Sequence, residues 1–143
     1  MKDDRLRMTL DDPYAAALGR AVFAFARLEW DAAWCCNKLE PGYIDNLPKK
    51  TAGNIAADLM RLASANQALW DVYEASCNEF KRLVVVRNEL LHGKPGATDP
   101  ESDQRLFKQG VAWAIELVDD AADDFTACQI QLNDMLFKGL HHV

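Results

Sequence analysis

Apolar residues recur along this chain at alternating intervals of three and four, the spacing that gathers them on one face of an α-helix. A first helix is predicted after "LDDP", with Asp12 as its N-cap and Pro13 in its first turn. Its seam reads Leu18, Val22, Phe25, Glu29, Ala32, Cys36 and Leu39. "EPGYIDNLPKK" then breaks the pattern with two prolines and a glycine. A shorter helix follows Thr51 and carries Ile55, Leu59 and Leu62 on one face.

The third helix is predicted from Asn66 to about Leu91, along Trp70, Tyr73, Cys77, Phe80, Val84, Arg87 and Leu91. Gly93 fits the left-handed position just past its end, and Pro95 prevents its resumption. The last helix follows "GKPGATDP" along Phe107, Val111, Ala114, Val118, Ala121, Phe125, Cys128, Leu132 and Met135. It reads as roughly 37 residues and about 55 Å, long enough to overshoot its neighbours or to bend near Gly110 or after the aspartates. Neither a period-two alternation nor an asparagine–glycine turn signals a strand. The expectation is an all-α, up-and-down four-helix bundle occupying the whole chain, 1–143, as one domain.

Trp30 and Trp34 fall off the main seam, so the first helix is apolar on more than one side and needs a second partner. In so small a bundle another copy of the chain fills that role, and a homodimer is expected. The net charge of −6 gives no bulk attraction for nucleic acid. Any polyanion must meet a local patch: Lys81, Arg82, Arg87 and Lys94 form one candidate, Lys49 and Lys50 another. "VDDAADDF" reads as a solvated helix face. Cys35, Cys36, Cys77 and Cys128 lack the paired spacing of a zinc site and read as buried free thiols. No metal or cofactor is expected, since "HGKPG" also lacks the spacing of a phosphate-binding loop. No uncharged run reaches the roughly 18 residues of a membrane span, and the start of the chain shows no signal peptide. A cytoplasmic protein is expected. The histidines of the terminal "LHHV" receive no role.

Polar residues on the third seam raise the question of chemistry. His92 lies four residues after Asn88, so the two share a helical face, with Arg87 about 100° aside on a long side chain. One account is structural: a histidine favoured by the helix dipole, an asparagine bonded to backbone, and a seam arginine paired with Glu29. The other is a site in which arginine holds a phosphate and histidine moves a proton.

"RNELLH" resembles the R-x4-H signature of the HEPN superfamily, including the asparagine that often follows its arginine. The helix order is similar too, with a glutamate inside the "FAFARLEW" helix and the signature closing the third helix. The resemblance implies a homodimer whose motif-bearing helices face each other across a composite cleft. It also implies metal-independent endoribonuclease activity on RNA, of the kind found in toxins, which an antitoxin protein restrains, or in antiphage defence. Other members of the superfamily are inactive interaction or scaffold modules. Arg87, Asn88 and His92 would be catalytic, Glu29 would orient Arg87, and Lys94 would touch substrate phosphates. "GK" follows the histidine, so the tyrosine of one toxin subgroup, two places further on, is absent.

Overall fold

A computed structural model describes residues 2–100 and 102–141; His142 and Val143 of the terminal "LHHV" lie outside the described residues. Four helices form an all-α bundle: α1 Asp12–Leu39, α2 Ala52–Ser64, α3 Gln67–Leu91 and α4 Ile115–Asp134. Between α3 and α4 runs a small antiparallel sheet of β1 Lys94–Gly96, β2 Arg105–Lys108 and β3 Val111–Ala112. No described helix is long and apolar enough to cross a membrane.

The helix starts follow their caps. Asp11, one residue before the expected cap, accepts a hydrogen bond from the Tyr14 backbone N–H at 3.2 Å, so Asp12 is already helical. Thr51 and Asn54 cap α2 reciprocally, and Asn66 accepts from Leu69 at the start of α3. A 3₁₀ stretch, Tyr43–Lys49, links α1 to α2 and is pinned at Asp58. The Asp58 carboxylate accepts from the Tyr43 hydroxyl at 2.6 Å and from Lys50 Nζ at 2.9 Å.

The buried stripe of α1 is Tyr14, Ala17, Ala21, Phe25, Leu28, Ala32 and the two cysteines, whereas Val22 of the expected seam is 49% exposed. The stripe runs through the small, fully buried Ala17 and Ala21, which turns the packed face away from Val22. Phe25 packs against Phe80 of α3 and Phe125 of α4, with centroids 6.3 and 5.1 Å apart. Helix directions follow from paired levels. Phe25 meets Phe125 and Cys35 Sγ reaches the Leu132 carbonyl, so α1 and α4 run parallel. Tyr73 bonds Asp134 and Arg82 reaches Asp124, so α3 opposes α4. All four thiols are buried and free. Burial raises Cys35 and pushes Cys36 and Cys128 up to about 12 and Cys77 to about 11.

The long last helix is corrected by the sheet. Phe107 and Val111 lie in strands and Ala114 caps α4, so the helix begins only at Ile115 and has 20 residues before a π-helical turn, Met135–Gly139. Gln109 and Gly110 both have positive φ, 51° and 79°. That is the backbone of a two-residue hairpin turn, and the strands beside it pair Phe107 with Ala112 and Lys108 with Val111. Gly93 is not left-handed either. It is needed for space: a Cβ there would lie 2.9 Å from Leu106 Cβ and 3.0 Å from the Leu90 carbonyl oxygen. The sheet is fastened to α1 by buried Tyr14, whose hydroxyl donates to the Trp113 carbonyl at 2.6 Å and accepts from Leu106 N–H at 3.2 Å. Arg105 stacks 4.3 Å over the same ring and pairs with Asp11 at 2.6 Å.

Candidate functional site

His92 closes α3 as its C-cap, with its backbone N–H donating to the Asn88 carbonyl at 2.9 Å. The chain turns there into β1, so the imidazole stands exposed at the tip of the helix. Asn88 lies one turn earlier and is half-buried. Lys94 comes onto the same side from β1, which pairs it with Phe107 of β2. Asn88, His92, Lys94, Phe107 and Lys108 line one open groove of about 360 Å³. Lys108 Nζ pairs with Glu89 Oε2 at 2.7 Å, which holds the strand wall against the helix wall.

Arg87 is directed elsewhere. Its guanidinium lies 4.6 Å over the Phe25 ring, and its NH2 is 3.6 Å from Glu29 Oε2. The Nε atom is buried with no hydrogen-bond partner. Arg87 and Glu29 therefore form an ion pair at the contact between α1 and α3, outside the groove lining. Of the five residues singled out by sequence, the structure gathers Asn88, His92 and Lys94 and separately pairs Arg87 with Glu29.

The basic patches shrink on folding. Arg82 is engaged by Glu79 and Asp124, Arg87 by Glu29, and Lys50 by Asp58. Among the described residues of the first patch, Lys81 and Lys94 have no ion-pair partner, and Lys94 faces the groove. Phe107, Lys108 and Gln109 were hidden from sequence reasoning because their apolar spacing prolongs the period of α4. The signal that could have found them is the adjacent glycine of "QG", a turn residue inside a supposed helix. Among the described residues no three His, Cys, Asp or Glu side chains cluster closely enough to hold a metal ion.

The groove offers one imidazole, the amides of Asn88 and Gln109, and one ammonium group, that of Lys94, outside the Lys108–Glu89 pair. Imidazole transfers protons near neutrality, the amides donate and accept hydrogen bonds, and the ammonium attracts phosphate. No family model matches the chain, and neither a curated protein nor a solved structure is similar to it.

Proposed function

We propose that this chain is a metal-independent endoribonuclease of HEPN type, in which two copies bring their α3 tips together over a shared RNA cleft. The observation that carries this reading is the lining of one groove by Asn88, His92 and Lys94 at the exposed end of α3. The groove is open, Lys94 is its one lysine outside an ion pair among the described residues, and the His92 imidazole makes no hydrogen bond among them.

The chemistry needs no reagent beyond the RNA. The 2′-oxygen loses its proton to one His92 and bonds to the adjacent phosphorus. The phosphorus–O5′ bond breaks, and the leaving oxygen takes a proton from the second copy's His92. The products are a 2′,3′-cyclic phosphate and a 5′-hydroxyl. Asn88 orients the phosphate and Lys94 binds it, while Arg87, positioned by Glu29 and Phe25, supplies positive potential at the margin. Such an enzyme suits a cytoplasmic toxin or antiphage-defence component restrained by an antitoxin protein that covers the groove.

Single-stranded RNA incubated with the protein in EDTA should be cut to cyclic-phosphate ends. His92→Ala should abolish cutting while leaving the melting temperature within a degree or two, since the side chain is exposed. Intact RNA from the wild-type protein at high concentration would sink the proposal.

The alternative, a non-catalytic HEPN-like interaction module, is favoured by the arginine. Arg87 is committed to Glu29 and Phe25 rather than to the groove. It predicts partner binding at the α3 tip that survives His92→Ala.

A further inference from the structure

The outward face of α1 carries a second apolar seam. Phe23 and Trp30 are 68% and 52% exposed, and Ala16, Gly19 and Ala26 are exposed on the same line. At 100° per residue that line lies roughly 130° around the helix from Phe25 and about 90° from Glu29, which meet Arg87. Trp34 is half-buried and packs edge-on against Trp30, with centroids 5.8 Å apart. Along one border, Arg20, Phe23 and Arg27 face Thr126 and Gln129 of α4 across an open groove of about 480 Å³. Single surface apolar residues are ordinary, but two aromatics on one helical line leave a continuous patch in water.

The order of this seam is suited to its own reverse. Gly19, Phe23, Ala26 and Trp30 alternate small and large, and reading them backwards exchanges small for large. A second α1 laid antiparallel, displaced by two residues from full overlap of the 28-residue helices, sets Gly19 opposite Trp30 of the second copy and Phe23 opposite its Ala26. Each ring then meets a position with room for it.

Charges fall near the same register. Asp12 comes within one residue of the position opposite Lys38 of the second copy and Arg20 within two of that opposite its Asp31, about 1.5 and 3 Å along the axis, and the two-fold repeats both pairs. Within one chain, among the described residues, Asp12, Arg20 and Lys38 have no ion-pair partner. Asp31 is held by the neutral amides of Gln129 at 2.7 Å and Asn133 at 3.3 Å, with no cation.

We propose that a second copy of this chain docks antiparallel along the outward face of α1, through Phe23, Trp30 and their small counterparts. This surface is separate from the α3 tip and holds whether or not the chain cuts RNA. Where both surfaces engage, the assembly grows beyond two chains.

Sedimentation equilibrium of the intact chain tests it. The wild type should self-associate at micromolar concentration, and Phe23→Lys with Trp30→Lys should weaken that step by at least about tenfold. Both side chains are exposed, so circular dichroism should be unchanged. Asp12→Lys and Lys38→Glu should each weaken association, and the two together should restore it, which neither a folding defect nor a nucleic-acid site would produce. A strictly monomeric wild type overturns the proposal, as does association indifferent to the double lysine variant. So does a result in which these variants lower only the binding of a single-stranded oligoribonucleotide. The readout is mass, so absence of RNA cleavage leaves it standing.

Discussion

The guanidinium of Arg87 sits 4.6 Å over the ring of Phe25 while its NH2 lies 3.6 Å from Glu29, so one side chain joins α1 to α3 by both charge and stacking. The pair is about a quarter to a third exposed, which screens the charge. A double-mutant cycle with Arg87→Ala and Glu29→Ala should give a coupling of about 0.5–1 kcal/mol by urea unfolding. Arg87→Ala alone should cost about 2 kcal/mol, because it also removes the contact with Phe25. A coupling of zero would mean that the two groups merely lie near each other.

Gly93 is the hinge between the helix that carries His92 and the strand that carries Lys94. A methyl group there meets Leu106 and a backbone oxygen at distances real Cβ atoms avoid. Gly93→Ala should destabilise the chain by about 1–3 kcal/mol in chemical denaturation. It should also impair any activity at the groove more than Lys94→Ala does, since both walls shift. Wild-type stability in the variant would show that β2 has slack.

Gln109 holds φ at 51°, a conformation that costs a residue with a full side chain. Gln109→Asn, or Gln109→Gly, should relieve that cost and raise stability by about 0.5–1 kcal/mol, read as a higher melting temperature. Gly110→Ala, at φ 79°, should lower it by a similar amount. Equal melting temperatures across the three would contradict the turn described for the hairpin.

Burial pushes the Asp58 carboxyl up, but hydrogen bonds from Tyr43 and Lys50 outweigh it and hold its pKa below the ordinary 3.8. A carboxyl depressed on folding stabilises the chain above its unfolded pKa and loses that contribution as pH falls through the folded value. The wild type should therefore lose stability below about pH 4, and Asp58→Asn should flatten that slope while costing about 1–3 kcal/mol at neutral pH. Denaturation curves of both proteins across acidic pH decide it. An unchanged slope would remove Asp58 from the acid response.

Much of the bundle was legible because its helices announce themselves at both period and cap. Thr51 and Asn66 mark their starts by side chains that bond the first turn, and Glu29, alone on an apolar seam, pointed to Arg87. The sheet was not legible. Phe107, Val111 and Ala114 happen to continue the three-and-four spacing of α4, and a glutamine stands where a hairpin turn usually has asparagine. Helical period alone cannot tell such a run from a helix until the backbone at Gln109 and Gly110 is seen. Val22 was misplaced for a different reason, because the buried stripe runs through the small Ala17 and Ala21, which weigh little in a count of apolar residues. At the site, adjacency in sequence suggested that Arg87 and His92 would converge, yet a 100° step around the helix gives the arginine to Phe25.

Tyr14 has a consequence that reaches past packing. Its hydroxyl grips Leu106 and Trp113 from α1, and the next residues along β2 are the groove's own Phe107 and Lys108. The first turn of α1 is thus tied to the rim beside His92 through the Tyr14 hydroxyl as well as through the Asp11–Arg105 pair. The molecule has a handle remote from its working end, and Tyr14→Phe would remove the hydroxyl's share of that linkage while leaving the ion pair in place.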